Sequence, residues 1–483
     1  MERSKVIFGN EIAPKDYKKA LKGMEKFRRK FGDDSGVEYR FVTRDNPVLS
    51  PLGVKDLVLT DGAGDVPEEK SLIVGNIRMG YGHYRISIAI ASAAHALGYT
   101  PLWLDLNGYP ASTATKIISH QNDLYSLGSR LSQKFSLFNK LVWEPINSEG
   151  FRKLTYNAGD QKTAELMAPL LRHLPKSIPY VATHAWPAQA AVHAGFHRVV
   201  NAIPDNWPMA LHLAEGSIHT VQTPSAYLGY KSLRGFDPKR VLKPMPEGTL
   251  YDVGHYVDHE LVTNIEGDCA ARLDRLAKGA PRRFLLTVGG AGAQKDLFVA
   301  ITRHLLPRVK KGEAVLFINA GDHRNVWEEI AREAGVNKGD CVTHFNDYEG
   351  ARAFIEKGEN LTGLQVFCND EIFAAVYLTN LLMRVSDVIL TKPSELSFYP
   401  VPKVMIHRVG GHEAWGAVRT AEVGDGTYEI DDTREALGML SHLIDDKEYL
   451  TALCRGVLRG KVHGIYDGAY KAVKLAVGEK IDD

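Results

Sequence analysis

Apolar runs of strand length alternate with helix-period segments through most of the chain. Ser71–Asn76 (SLIVGN) reads as a short buried strand, and Ile86–Leu97 as a helix of small apolar residues packed on a sheet. Thr100–Leu106 (TPLWLDL) is the next strand, which completes a β-α-β unit. Ile178–Thr183, Val199–Ile203 and His219–Thr223 read as further parallel strands, each followed by a short polar and aromatic loop. A second series opens at Phe284–Val288, a strand that runs into Gly289, Gly290, Ala291, Gly292 and Ala293. The helix behind it places Leu297, Phe298, Ile301, Leu305, Leu306 and Val309 on one face. Ala314–Ala320, Val342–Phe345, Leu364–Phe367, Arg384–Leu390 and Lys403–His407 continue as strands, with a helix at Val326–Ala334. The pattern predicts an α/β protein whose two halves each open on a strand and a glycine-rich turn.

These elements divide the chain. Residues 1–70, with a basic helix at Tyr17–Phe31 and an extended piece at Gly36–Thr43, form an accessory N-terminal segment; 71–255 and 256–440 form two Rossmann-like domains. The linker falls in the irregular stretch Val241–Glu266, which carries Pro244, Pro246, Gly248 and Gly254. Residues 441–483 read as terminal helices that pack back on the first domain. In residues 120–155, Leu124, Leu127, Leu131, Phe135 and Phe138 share a helical face beside Arg130, Lys134, Lys140, Arg152 and Lys153. The expected reading is a core-facing helix with a solvated basic side. The alternative is a surface that greets a lipid-linked or anionic acceptor.

Composition narrows the function classes. The chain has 483 residues, 44% apolar and 24% charged, with a formal net charge of +1. That suits a globular protein of at least two domains and argues against a broad nucleic-acid-binding surface. The four cysteines (Cys269, Cys341, Cys368, Cys454) are scattered without ligand spacing, so no structural zinc site and a reducing compartment are expected. The first residues are charged where a signal peptide would be apolar, and no run has the length of a membrane span. The expected location is cytoplasmic, with membrane contact at most peripheral.

Candidate chemistry sits where strands end. A strand, glycine turn and helix start at Arg283–Asp296 aims backbone N–H groups at an anion, and the helix N-terminus adds partial positive charge. Gln294 and Asp296 fall where side chains can cap that helix. Gly80-Tyr81-Gly82-His83 forms a similar turn after Ser71–Asn76. Asp105 lies where a dinucleotide fold places its ribose-binding acid, but the preceding loop lacks GxGxxG. Asp205, Asn206 and Trp207 follow a later strand, at a ligand-facing rim.

Five segments, in order, resemble GT-B glycosyltransferases of family 28, the group of the lipid II N-acetylglucosaminyltransferase and the diacylglycerol glycosyltransferases. Gly80–His83 is similar to their first glycine loop. Ile203–Trp207, with His212 and then Val221–Ser225, is similar to the late segment of their first domain. Val288–Gln294 resembles their second glycine loop, Ser386–Pro393 their "SD…KPGG" segment, and Gly411–Ala417 their "GQExxNA". A departure follows Pro393, where Ser394-Glu395 replaces two glycines and Pro400 and Pro402 cut the next helix short.

The resemblance implies two Rossmann-like domains facing each other across a cleft, and inverting, metal-independent transfer from a UDP-sugar to an acceptor, lipid-linked or small. The nucleotide sugar is then a substrate, and no cofactor is implied. Donor contacts fall to Gly289–Ala293, Gln294, Lys392, Ser394, Glu395 (facing the ribose), His412 and Glu413. Gly80, Tyr81, Gly82, Trp207 and His212 lie on the acceptor side. Asp205 and His83 are the catalytic candidates, each acting alone or with Asp205 orienting His83. A sugar-nucleotide epimerase on the same scaffold and a non-catalytic nucleotide-sugar-binding protein are the alternatives.

Overall fold

Strands covered by helices on both faces lose their alternation of polar and apolar residues, and the continuous apolar runs of this chain are such strands. A computed structural model describes residues 2–134, 150–289, 294–358, 361–408 and 410–481. Met1–Met79, Ile86–Tyr256 and Asp467–Asp483 form one compact unit, and Gly80–Arg85 and Val257–Tyr466 form a second. Both are Rossmann-like α/β units.

In the first unit, β1 (Val6–Ile7) and β2 (Asn10–Glu11) make a small antiparallel pair. The main sheet holds β3 (Phe41–Asp45), β4 (Lys55–Leu59), β5 (Ser71–Asn76), β6 (Thr100–Asp105), β7 (Tyr180–Ala182), β8 (Val199–Ala202), β9 (Ile218–Val221) and β10 (Leu250–Asp252). Their order is β10-β9-β8-β7-β5-β6-β4-β3, and every pairing except β3–β4 is parallel. All six residues of β5 are buried. The chain leaves β5 for β6 on one side and later returns to β7 on the other. This reversal of direction opens a crevice at the carboxyl ends of β5 and β7.

The second unit repeats the scheme with β11 (Arg282–Thr287), β12 (Ala314–Asn319), β13 (Cys341–Phe345), β14 (Leu364–Cys368), β15 (Val388–Thr391) and β16 (Lys403–Met405). The order is β13-β14-β12-β11-β15-β16, parallel throughout. Here the reversal lies at β11, between β12 and β15. Of the helices near the end of the chain, Thr433–Asp445 packs on Lys295–Lys310 and Glu448–Val462 on Ile265–Ala277, within the second unit. Gly468–Val477 lies against β7 and β8 in the first.

Several elements differ from the sequence pattern. Arg384 and Val385 do not open a strand; they end the helix Ile372–Val385. Ser386 turns extended there, its hydroxyl bonding Leu382 O at 2.7 Å, and the buried Arg272 donates to Met383 O and Ser386 O, both at 2.8 Å. These bonds satisfy carbonyls that a helix end leaves open. Within Val241–Glu266, residues 250–252 form β10 and join the first sheet. Residues 41–59 supply β3 and β4, so part of the N-terminal segment is sheet rather than accessory. Leu124 and Leu127, expected to face a core, are exposed on the helix Thr113–Lys134; Phe135, Phe138 and Lys140 lie outside the described residues. No helix among the described residues is long and apolar enough to cross a membrane.

The helix Leu154–Ala164 packs between Pro14–Phe31 and Ala185–His193, which buries even its polar residues. Asp160 is among them. Burial pushes its carboxyl up to about 7, partly opposed by the Trp186 indole N–H. The ordinary value is 3.8, so between about pH 4 and pH 7 the folded chain holds a proton that the unfolded chain has released. The resulting stability is complete below about pH 4 and is lost as pH rises through 7, a change of up to roughly 4 kcal/mol. Asp160→Asn is expected to melt several degrees above wild type at pH 8 but not at pH 4.5, as thermal unfolding monitored by circular dichroism would show. Equal differences at the two pH values would contradict the assignment.

Candidate functional site

β11 and β15 are neighbours where the second sheet reverses, and Gly289 and Lys392 follow their carboxyl ends. Gly289 follows β11 closely, and a Cβ placed on it would come 3.7 Å from the Lys392 side chain. Gly290, Ala291, Gly292 and Ala293 lie outside the described residues. The helix Lys295–Lys310 begins directly after them, with Asp296 in its first turn. Gln294 does not cap that helix. It holds a left-handed φ of 70°, rarely adopted by residues other than glycine, and its amide donates to His407 O beyond β16. Lys392, one residue past β15, is ion-paired with Glu413, whose other oxygen accepts Gly410 N–H at 3.1 Å. His412 lies in the short 3-10 turn Gly411–Glu413.

The Ser-Asp and Lys-Pro parts of the Ser386–Pro393 segment do separate things. Asp387 is fully buried at the amino end of β15, where it accepts Arg283 N–H at 2.9 Å and pairs with Arg275 at 2.6 Å. It locks β15 beside β11, a structural role. Lys392 lies past the opposite, carboxyl end of the strand, paired with Glu413.

Ser394 precedes a four-residue 3-10 turn, Glu395–Phe398, which the prolines stop. Glu395 Oε1 accepts Arg85 Nε–H at 3.3 Å. The Arg85 guanidinium, 3% exposed, also donates to Val376 O at 3.3 Å and Asn380 Oδ1 at 3.2 Å. Oε2 of Glu395 stays 3.3 Å from where a Gly82 Cβ would stand. The first glycine loop groups with this unit rather than with the strand it follows. Gly80 is left-handed at φ 71°, and Tyr81, expected on the acceptor side, bonds Asp322 after β12 and accepts Asp322 N–H at 2.9 Å. His83 sits half-buried in the first turn of the helix Gly82–Ala96.

In the first unit, the loop carrying Asp205 is held from both sides. Gln222, just past β9, donates to Pro204 O at 2.8 Å, and Thr223 Oγ donates to Asn206 Oδ1 at 3.0 Å. Asp205 lies between these two ties with its side chain 42% exposed, and its Oδ2 is 3.2 Å from His212 Nε2. The sequence leaves open an Asp205–His83 pair; the structure pairs Asp205 with His212. His212 is buried, and its Nδ1 is 2.6 Å from the Tyr230 hydroxyl. Trp207 is half-buried, and the Arg152 guanidinium lies 5.6 Å from the centre of its ring. Asp105, the alternative ribose acid, accepts Asn107 N–H at 2.8 Å in its own turn.

Two family models divide the chain between them. Residues 6–232 match "Domain of unknown function (DUF6937)", and residues 245–477 match "Domain of unknown function (DUF6938)". No curated protein matches the chain in sequence. Among solved structures, UDP-GlcNAc 2-epimerase from Neisseria meningitidis bound to UDP-GlcNAc is 11% identical at a TM-score of 0.45, over 84% of this chain and 98% of that one. An alpha,alpha-trehalose-phosphate synthase (UDP-forming) from Burkholderia vietnamiensis is 12% identical at 0.43, over 84% and 98%.

Three contributors escape a reading of the sequence alone. Arg85 sits in a helix whose small-residue pattern announces only packing. Tyr230 sits on the helix Pro224–Lys231, which carries no motif. His407 comes from just past β16 and Glu429 and Asp431 from a later segment, and their ligand atoms lie within 4.8 Å of one another. Arg408 binds Glu429 at 2.6 Å and His407 binds Asp431 at 2.8 Å, so this group is an ion-pair network beside the Gln294 turn.

Proposed function

We propose that the chain is an inverting glycosyltransferase that uses a UDP-sugar donor. The observation that carries this reading is the convergence of the Gly289 turn, Lys392 and Glu413 at the carboxyl ends of β11 and β15, where an open parallel sheet binds ligands. Loop amides and Lys392 would take the diphosphate, Ser394 and Glu395 the ribose side, and His412 and Glu413 the sugar hydroxyls. The first unit would supply the acceptor side and Asp205 the base, with His83 a contact to donor or acceptor. In the transfer, the acceptor oxygen bonds to the anomeric carbon, the bond from that carbon to the diphosphate oxygen breaks with its electron pair leaving on UDP, and the acceptor proton passes to Asp205. The nucleotide sugar is a substrate, and the developing charge on UDP falls to the loop donors.

Incubation with a panel of UDP-sugars and candidate acceptors, followed by mass spectrometry, tests the reading. Transfer gives UDP and a glycoside; an isomeric sugar nucleotide would instead indicate an epimerase, and unchanged donor a binding protein.

Glu395 gives a sharper expectation. Truncating it would strand the buried Arg85 charge, so Glu395→Gln, which keeps an oxygen for Arg85, is the appropriate variant. A hydrogen bond from a ribose hydroxyl to a charged group contributes roughly 1.5–3 kcal/mol. Calorimetry should show UDP binding weakened about tenfold and 2′-deoxy-UDP binding much less. Equal losses for the two ligands would place Glu395 in a structural role with Arg85.

A further inference from the structure

The turn Ala210–His212 is fixed by more buried hydrogen bonds than a surface turn needs. Asn157 donates through one amide to Ala210 O and Leu213 O, both at 2.8 Å. Gln189 donates to Leu213 O at 2.8 Å, and Asn201 to His212 O at 2.6 Å. All three amides are at most 1% exposed, and they come from two helices and β8. Buried side-chain amides cost free energy unless they are bonded, and here they bond the backbone of His212 and of Ala210 and Leu213 on either side of it.

The side chain of that histidine is equally constrained. Its Nδ1 faces the Tyr230 hydroxyl at 2.6 Å and its Nε2 faces Asp205 at 3.2 Å. Tyr230 is fully buried, which pushes its phenol well above the ordinary value, so it keeps its proton. The hydroxyl also receives Met209 N–H at 3.3 Å. Gly229, the preceding residue, lets the chain at Pro208 approach closely: a Cβ there would stand 2.3 Å from Pro208 Cγ. The phenol proton has two acceptors in reach, His212 Nδ1 at 2.6 Å and Trp207 O at 3.3 Å; donation along the shorter contact, to Nδ1, leaves the imidazole proton on Nε2, directed at the carboxylate.

We propose that Tyr230 and His212 are positioning residues that hold Asp205 as the proton acceptor through a Tyr230–His212–Asp205 relay. The proposal rests on the glycosyltransferase reading for its chemistry and on this geometry for its arrangement. His212 is not the base, because its lone pair is taken by the buried phenol. The acceptor proton is received by the Asp205 carboxylate, whose position and ionised form the Nε2–H donor maintains.

The arrangement is tested on the full chain labelled with 15N-histidine, with the His212 signals assigned by comparison with His212→Gln. Wild type is expected to show His212 as the Nε2–H tautomer near neutral pH, and Tyr230→Phe a mixture of tautomers. UDP release from UDP-glucose and UDP-N-acetylglucosamine, with water as acceptor, is measured in parallel. Tyr230→Phe is expected to lose about tenfold in kcat with KM for the donor unchanged, the signature of a misplaced group. His212→Gln, which retains an N–H for Asp205, should keep more turnover than His212→Leu; this comparison also serves if Tyr230→Phe fails to fold. A wild-type tautomer in Tyr230→Phe, or equal turnover in the two His212 variants, would overturn the relay. Asp205→Asn separates the two levels: full turnover in that variant would remove the base assignment, while the tautomer still decides the relay.

Discussion

Asp205→Asn is expected to bind UDP within a few-fold of wild type and to lose about 10²–10⁴ in turnover, the usual cost of removing a general base. The asparagine keeps the shape of the side chain, so the ties from Gln222 and Thr223 that fix the loop should survive. What disappears is the carboxylate proposed to receive the acceptor proton. The effect belongs in kcat rather than KM, because proton removal is needed in the transition state and not for donor binding. Single-turnover measurement with a UDP-sugar reads the chemical step directly. A variant that transfers at the wild-type rate would remove Asp205 from the mechanism.

Lys392→Met should have the largest effect on donor binding. Lys392 sits one residue past β15, its ammonium shared with Glu413, on the side of the sheet where a diphosphate would dock. A charge-assisted contact to phosphate contributes roughly 1.5–3 kcal/mol, so UDP affinity should fall about 10–100-fold. The loss should shrink as ionic strength rises, because salt screens a partly exposed charge. The circular dichroism spectrum should not change, since Asp387 rather than Lys392 locks β15 to its neighbour. An undiminished affinity would exclude Lys392 from the donor site.

The fold was legible wherever burial is two-sided. Ser71–Asn76 is the strand its apolar run predicts, and Ala314–Asn319 and Leu364–Cys368 lie within a residue of the predicted ends. Legibility failed where an apolar run belongs to something else. Arg384 and Val385 look like a strand start because they are continuous with Val388–Leu390, but Ile372–Val385 is a helix that ends on carbonyls held by Arg272, a contact more than a hundred residues away in sequence. The strand Leu250–Asp252 is three residues among prolines and glycines, too short to show a period.

The site divides similarly. Glycine turns and Lys392 are visible because their chemistry is local. The partners are not: Arg85 meets Glu395 across 310 positions, and Tyr230 meets His212 only because the helix Pro224–Lys231 returns beneath the Asp205 loop. The sequence leaves a pairing of Asp205 with His83 open because the two loops could adjoin in space; the histidine nearer in sequence, His212, is the one paired with it.

The most direct test of the account is a calorimetric titration of UDP into the full chain, run in parallel with Lys392→Met. Saturable binding to one site with a dissociation constant of about 1–100 μM is expected, weakened at least tenfold in the variant. No saturable binding up to millimolar UDP, or identical affinities for the two proteins, would contradict it.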